Sequence, residues 1–424
     1  MMERTKEIAV IGAGIIGICC GIALQSRGNK VTLYDSARPG SMTSRGNAGG
    51  FGFTDVMPMA APGVLWKVPG WLFDPCGPLF IRPGHFPSLI PWLLYFQKVS
   101  SSYHVDRLSL ALSSLLEPSK IDSRKMLGLV GLEEIYTEKG ALTVYKTRQS
   151  FESDRLEWSV KTQRGVEAQE LGPDDIRAME PELQNACYGW YTPQWCNTTD
   201  PFRVAREQAQ YFTEKGGRIV SENVSEIETS VAKRGFVSDG RARSLILESG
   251  KTVNIDQIVV AAGVWSKQFC KQLGERVLME SERGYNTTLP HPGVELEHQV
   301  IFGEEKFVIT NIQGGLRIGG AAEFAGLKTP PNYKRSQKLL EIAQRYLPQL
   351  SDVGCEQWMG HRPSTPDSIP VIGKSQKFDN VHYAFGHGHY GLTMAATTGK
   401  LIAQSVLGEQ PDVDLEPFSI SRFA

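Results

Sequence analysis

Two kinds of hydrophobic pattern divide the chain. Near its start, EIAVI at residues 7–11 is an unbroken apolar run closed by glycine, as expected of a strand buried on both faces of a parallel sheet. The pattern continues as a helix from about Ile15 to Arg27, and KVTLYD then predicts a second strand ending at Asp35. The helix-and-buried-strand alternation returns only much later. DPFRVAREQAQYFTEKGGRIV (200–220) predicts a helix with an acidic start and a Gly-Gly stop, followed by a strand. QIVVAAGVWS (257–266) predicts a further buried strand running into a glycine turn.

Other stretches follow a different rhythm. Helical spacing occupies about 106–130 and 149–164, and GALTVYKT predicts a strand between them. Residues 278–325 alternate with period two, the pattern of an antiparallel sheet. RSQKLLEIAQRYLPQL predicts an amphipathic helix. The chain closes with SIPVIG at 368–373, VHYAF, and the glycine-rich helix start GHGHYGLTMAATTGKLIAQ at 386–404. No internal repeat or low-complexity segment breaks this order.

The first strand–helix junction carries Gly12, Gly14 and Gly17 in G-x-G-x-x-G spacing. The first glycine permits the tight turn, the second lets backbone approach a pyrophosphate, and the third allows close helix–strand packing. Amides of Ala13, Ile15 and Ile16 at the positive end of the helix then meet phosphate charge. Asp35 closes the next strand 18 residues beyond Gly17, where a carboxylate accepts from ribose hydroxyls; Ser36 follows it. A nicotinamide domain would continue with strand–helix units for about another hundred residues. This chain instead gives SMTSRGNAGGFG and leaves the pattern, and a nucleotide domain interrupted by insertions is the flavin arrangement. Ser44, Arg45, Gly46, Asn47, Ala48, Gly49 and Gly50 then form a loop able to wrap a ribityl chain and flavin ring.

Composition narrows the classes. A length of 424 residues favours two domains. The net charge of −1 and the lack of a like-charge block argue against a nucleic-acid partner. Seven cysteines, at 19, 20, 76, 187, 196, 270 and 355, form neither a CxxC pair nor a metal-ligand spacing, so no metal is expected. Free thiols, and the absence of a signal-peptide pattern or a membrane-spanning run, favour a cytoplasmic protein.

Taken together, VIGAGIIG (10–17), SRGNAGGF (44–51), APGVLWKVPGWLF (61–73), RIGGAAEFAG (317–326), GHRPSTPDSIPVIG (360–373) and GHGHYGLTMAATTG (386–399) resemble the D-amino-acid oxidase and glycine oxidase superfamily of FAD-dependent oxidoreductases. Within it the chain is most similar to bacterial D-amino acid dehydrogenases, including those acting on D-proline and hydroxyproline. The resemblance implies a mixed α/β and α+β fold. A Rossmann-like FAD-binding domain would come from residues 1–56, 200–277 and 351–424, and an antiparallel-sheet substrate domain from 57–199 and 278–350. It also places Val224, Ala261, Ala262, Gly263 and Trp265 on the cofactor. Gly386, His387, Gly388, His389, Gly391, Leu392 and Thr393 would lie against the flavin pyrimidine ring, where backbone donors stabilise charge on the reduced ring.

For the reaction, the resemblance implies that Arg362 clamps a substrate carboxylate, since a rigid guanidinium fork makes two parallel hydrogen bonds. Tyr285 either adds a hydroxyl to that carboxylate or sits in the core. His389 is a candidate for the substrate, and His387 either tunes the flavin or is an ordinary loop histidine. Arg317 faces either pocket or solvent. The expected chemistry is hydride transfer from Cα to flavin N5, giving an imine and then a 2-oxo acid. Where relatives attach flavin to a cysteine this chain has Gly360, with Cys355 outside the motif, so FAD is expected to be non-covalent. Electrons pass to a quinone or another acceptor. Two alternatives remain open: an O₂-using amine oxidase, and a non-catalytic electron-relay subunit. The aromatic, proline-rich stretch 64–96 carries Trp66, Trp71, Phe73, Phe80, Phe86, Trp92, Tyr95 and Phe96. It forms either core and pocket wall or a peripheral contact with the inner face of the cytoplasmic membrane.

Overall fold

The computed structural model describes residues 5–60, 77, 79–229 and 240–424. Trp66, Trp71, Phe73 and the whole of the 61–73 motif therefore lie outside the described residues. Among the described residues the main layers are a six-stranded and a nine-stranded sheet.

The apolar runs read from the sequence assemble the first of these. Its order is Arg218–Val220, Lys30–Tyr34, Glu7–Ile11, Gln257–Val260, Val381–Phe385, Val371–Lys374. The first five are parallel and the last is antiparallel. Glu7–Ile11 lies in the middle, with the next strand of the chain on one side and strands from far downstream on the other. That is the topological switch point of a doubly wound sheet, where ligands bind beyond the carboxyl ends of strands. Helices Ile15–Gln25, Ser102–Leu129, Pro201–Glu214 and Gly391–Leu407 pack one face. A small sheet of Val224–Thr229, Ala242–Leu247 and Thr252–Asn254 packs the other. Asp200 caps helix Pro201–Glu214, its carboxylate accepting the Arg203 N–H at 2.8 Å.

The nine-stranded sheet runs Glu356–Ser364, Glu280–Leu289, Gly315–Phe324, Phe307–Ile312, Gln299–Phe302, Ala141–Tyr145, Tyr188–Thr192, Gln169–Leu171, with Leu79–Ile81 beside Gly315–Phe324. It is antiparallel except where Gln299–Phe302 meets Ala141–Tyr145 and where Leu79–Ile81 joins. The helix Lys334–Tyr346 covers one face around Leu339, Leu340 and Ala343. The other face turns toward the carboxyl ends of the six-stranded sheet.

Several boundaries move. The pattern at 149–164 resolves into two helices, Arg148–Ser153 and Arg155–Gln163. The domain limit at 351 falls too early, because Glu356–Ser364 pairs along its whole length with Glu280–Leu289. Residues 356–364 thus belong to the large sheet, and the return to the six-stranded sheet comes at Val371.

Candidate functional site

A cavity of about 1150 Å³ runs between the two sheets, somewhat larger than the roughly 300–1,000 Å³ usual for small-molecule sites. At one end it meets the first glycine turn. Gly12 has φ +109°, and a Cβ there would lie 2.5 Å from the Ala261 carbonyl oxygen. A Cβ on Gly17 would lie 2.0 Å from the Gly12 carbonyl oxygen. Gly14, by contrast, faces open space, with Ser44 Oγ at 3.6 Å from where its Cβ would be. Two glycines hold helix against strand and the middle one clears the approach, as the spacing predicts.

The other residues at this end divide into wall and frame. Ile15, Ile16, Asp35, Ser36, Val224 and Ala261 line the cavity, as do Ala262, Gly263 and Trp265. Ala13 and Gly17 do not; the Ala13 N–H instead donates to Asp35 Oδ2 at 2.8 Å. Asp35 Oδ1 accepts the Ala37 N–H at 2.9 Å, so this carboxylate shapes the turn while facing the cavity. Ser44 Oγ accepts the Ile15 N–H at 3.1 Å.

Along the middle, the 44–50 loop is held from the large sheet. Arg317 donates to the carbonyls of Asn47 at 2.6 Å and Arg45 at 3.4 Å, and Asn286 Nδ2 donates to Gly46 at 2.9 Å. Arg317, half-buried, is therefore not on the cavity wall; it fixes this loop. Gly46, Asn47, Ala48 and Gly50 reach the cavity. Arg45 and Gly49 do not: Arg45 lies over the Phe202 ring at 5.6 Å, and Gly49 (φ +80°) backs onto the Thr198 carbonyl. The Trp358 indole also lines the cavity, and Cβ atoms on Gly46 or Gly360 would fall within 1.9 and 2.0 Å of its ring.

The far end assembles a charged cluster. Arg362 Nη1 donates to Glu282 Oε1 at 3.0 Å, and His389 Nε2 meets the same oxygen at 2.7 Å. The guanidinium lies across Gly284, where a Cβ would be 2.3 Å from Arg362 Cζ. Glu282 is 2% exposed. Burial alone would raise its carboxyl, but the attraction of His389 and Arg362 overrides that and holds it at about 2. Asp55, also on the cavity wall, pairs with Lys161 at 3.6 Å.

Strand alternation decides which neighbours join. Glu282, Gly284 and Asn286 share one face of their strand, opposite Arg362, Gly360 and Trp358 on the next. Tyr285 points the other way. Its hydroxyl donates to Glu323 at 2.5 Å and accepts the Asn332 N–H at 3.1 Å, so the expected bond to a substrate carboxylate is not met and the core alternative holds. Arg283, on the Tyr285 side, is likewise buried and pairs with Glu323 at 3.6 Å.

The last loop closes the cavity with Gly388, Gly391, Leu392 and Thr393. Gly386 stands behind it, against Thr365. Thr393 Oγ1 accepts the Gly52 N–H at 3.0 Å. His387 reaches the wall, yet it is 3% exposed and its Nε2 pairs with Thr398 Oγ1 at 2.9 Å. Burial lowers this histidine to about 3, so it is a neutral, internally bonded loop residue and brings no charge to a ring. Phe80, Trp92 and Phe96 of the aromatic stretch are buried, and Trp92 and Phe96 line the cavity. For these residues the core-and-pocket alternative holds. No helix among the described residues is long and apolar enough to cross a membrane.

Glu282, Trp358 and Asn286 were not singled out by the motifs. The signal for Glu282 was a charged residue inside the alternating stretch ESERGYNTTL, two positions before a glycine. Its partner, Arg362, lies 80 residues away.

The chain resembles known proteins over its full length. A family model described as FAD dependent oxidoreductase (DAO) matches residues 7–405. A D-amino-acid oxidase of Bradyrhizobium diazoefficiens is 34% identical over 100% of both chains. A D-amino acid dehydrogenase of Agrobacterium fabrum is 28% identical over 99% of this chain and 100% of its own. Among solved structures, glycine oxidase from Geobacillus kaustophilus superposes with a TM-score of 0.75 at 20% identity, covering 99% of this chain and 100% of that one. L-proline dehydrogenase from P. horikoshii gives 0.74 at 17% identity, covering 100% and 98%. The site geometry fits the group this family uses: an open glycine turn at a helix start, a cavity of about 1150 Å³, and a glycine-rich loop that also lines it. The chain belongs to the DAO family of FAD-dependent oxidoreductases.

Proposed function

We propose that the protein oxidises the C–N bond of a D-amino acid or cyclic imino acid of the D-proline kind, releasing an imine that hydrolyses to a 2-oxo acid or persists when cyclic. The observation that carries this reading is Arg362, fixed over Gly284 by Glu282 at the opposite end of the cavity from the phosphate-type glycine turn. Names of the relatives point the same way.

FAD would be held by the Gly12–Gly17 turn, the 44–50 loop and residues 388–393, without a covalent bond, since no cysteine is among the described residues lining the cavity. Bound there it supplies the two-electron acceptor. The chain's own residues do the rest. Arg362 offers Nε and Nη2 to a carboxylate, which fixes the α-carbon and so lowers the entropic part of the barrier. Trp92 and Phe96 cover the site with apolar surface and keep water out. A neutral amine needs no proton acceptor from the protein, and none is assigned.

For the acceptor we propose a quinone, met where helix Phe86–Val99 exposes Ile90 and Leu94 beside the cavity wall. Turnover on matched D and L enantiomers, with O₂, soluble quinone or quinone in vesicles as acceptor, tests both parts. The expected result is 2-oxo acid or cyclic imine from D enantiomers, faster with vesicle-borne quinone and slowed there by Ile90→Ser with Leu94→Ser. Equal rates with O₂ alone would favour the oxidase alternative. No product from any amino or imino acid would favour the relay subunit.

A further inference from the structure

Most of the cluster around Arg362 is explained by holding one carboxylate, but Glu282 is not. An anion beside the arginine weakens its grip on a substrate anion, because two carboxylates on one cation repel each other. It is also costly to bury. A residue that only braced the guanidinium would have both oxygens engaged. Here both bonds converge on one: Oε1 takes Arg362 and His389, and Oε2 has no hydrogen bond among the described residues. Glu282 is 2% exposed and lines the cavity, so the free oxygen is a fixed acceptor facing the space beside the guanidinium.

The α-nitrogen and carboxylate of an amino acid hang from one carbon, so a site that reads both needs a cation and an acceptor as immediate neighbours. Arg362 and Glu282, in contact at 3.0 Å across paired strands, are such neighbours. We propose that Glu282 touches the substrate: its Oε2 accepts a hydrogen bond from the α-nitrogen while Arg362 holds the carboxylate, selecting amino and imino acids over carboxylic acids with no donor there. His389, on Oε1, turns the free oxygen toward the ligand. The proposal rests on the amino-acid reading above and adds the residue that distinguishes the amine.

Two opposed effects make this testable. In Glu282→Gln the acceptor loses its charge, and the competing anion on Arg362 disappears with it. Two matched pairs of probes are used on the FAD-loaded protein: D-alanine with propionate, and D-proline with cyclopentanecarboxylate. Dissociation constants for the plain acids come from the perturbed flavin spectrum, and those for the amino acids from the concentration dependence of anaerobic flavin reduction. Glu282→Gln is expected to weaken the amino acids by about 10-fold, as removing the charge from a charge-assisted hydrogen bond does, and to tighten the plain acids. A parallel loss for both classes means that Glu282 only braces Arg362, and overturns the proposal, as does no change in either. Should Glu282→Gln fail to retain FAD, Glu282→Asp keeps the charge on a shorter stem and is expected to preserve the preference for the amino member of each pair. Loss of that preference in Glu282→Asp also overturns it. If the wild-type protein binds plain acids but no amino acid, the proposal falls; if it binds neither, the amino-acid reading itself falls with it.

Discussion

The glycine end of the cavity and the arginine end are built from different materials. At the glycine end, six consecutive residues and one carboxylate make the centre of the site: a turn at Gly12, an open approach at Gly14, a close contact at Gly17 and the Asp35 brace. The functional atoms are backbone. At the arginine end the functional atoms are side chains drawn from two paired strands and a loop: Glu282, Arg362 and His389, with Gly284 making room. What binds a common cofactor is local and spelled out in order. What chooses a substrate is dispersed, and exists only once the sheet has formed. The two helices whose glycine-rich starts meet the cavity pack directly on each other: a Cβ on Gly399 of the last would sit 2.5 Å from the Cys19 carbonyl of the first.

Gly17→Ala is expected to break the glycine end. It puts a methyl 2.0 Å from the Gly12 carbonyl oxygen, where rigid backbone cannot give way. FAD content of the purified protein, read from its visible absorption, should fall by about tenfold or more. Full occupancy would mean that the turn is not where FAD is held.

The smallest expected effect lies behind the cavity wall. His387 is neutral in the fold at about 3, against 6.5 for an ordinary histidine. Between those values the unfolded chain binds more protons than the folded one, so this residue's contribution is complete above about pH 6.5 and falls as pH drops toward 3. Buried His361 and His382, both lowered to about 4 mainly by burial, act with the same sign. His387→Gln should therefore narrow the gap between melting temperatures at about pH 8 and about pH 5 by roughly a third of its histidine-linked part. An unchanged gap would show that His387 is already charged in the fold.

The same contrast explains what was legible in advance. EIAVI and the QIVVAAG run were readable because a strand buried on both faces leaves an unbroken apolar run, and KVTLYD because it follows the first helix and ends at Asp35. The glycine spacing was readable because all three glycines fall within one six-residue turn, although the contact that Gly12 answers, the Ala261 carbonyl, is far away in sequence. The register of Glu280–Leu289 against Glu356–Ser364 was not readable, since nothing near residue 282 refers to residue 362. Tyr285 was drawn toward the substrate by its position after Gly284, yet period-two alternation sends neighbours to opposite faces, and Gly284 rather than Tyr285 faces Arg362. Glu282 escaped notice for the converse reason: a single charge in a strand becomes meaningful only when its partner strand is known. Arg317, half-buried, stays off the cavity wall because its partners are carbonyls of a loop about 270 residues earlier.

The central claim is that one cavity holds FAD at its glycine end and an amino acid's carboxylate at Arg362, each by its own residues. Anaerobic bleaching of the flavin by D-amino acids and D-proline, compared between the wild-type protein and Arg362→Ala, tests it most directly. The account predicts a yellow Arg362→Ala protein with normal FAD content and an apparent substrate dissociation constant raised by about 100-fold, since the charged clamp on the carboxylate is lost. A colourless variant, or one bleached at the same concentrations as the wild type, would contradict it.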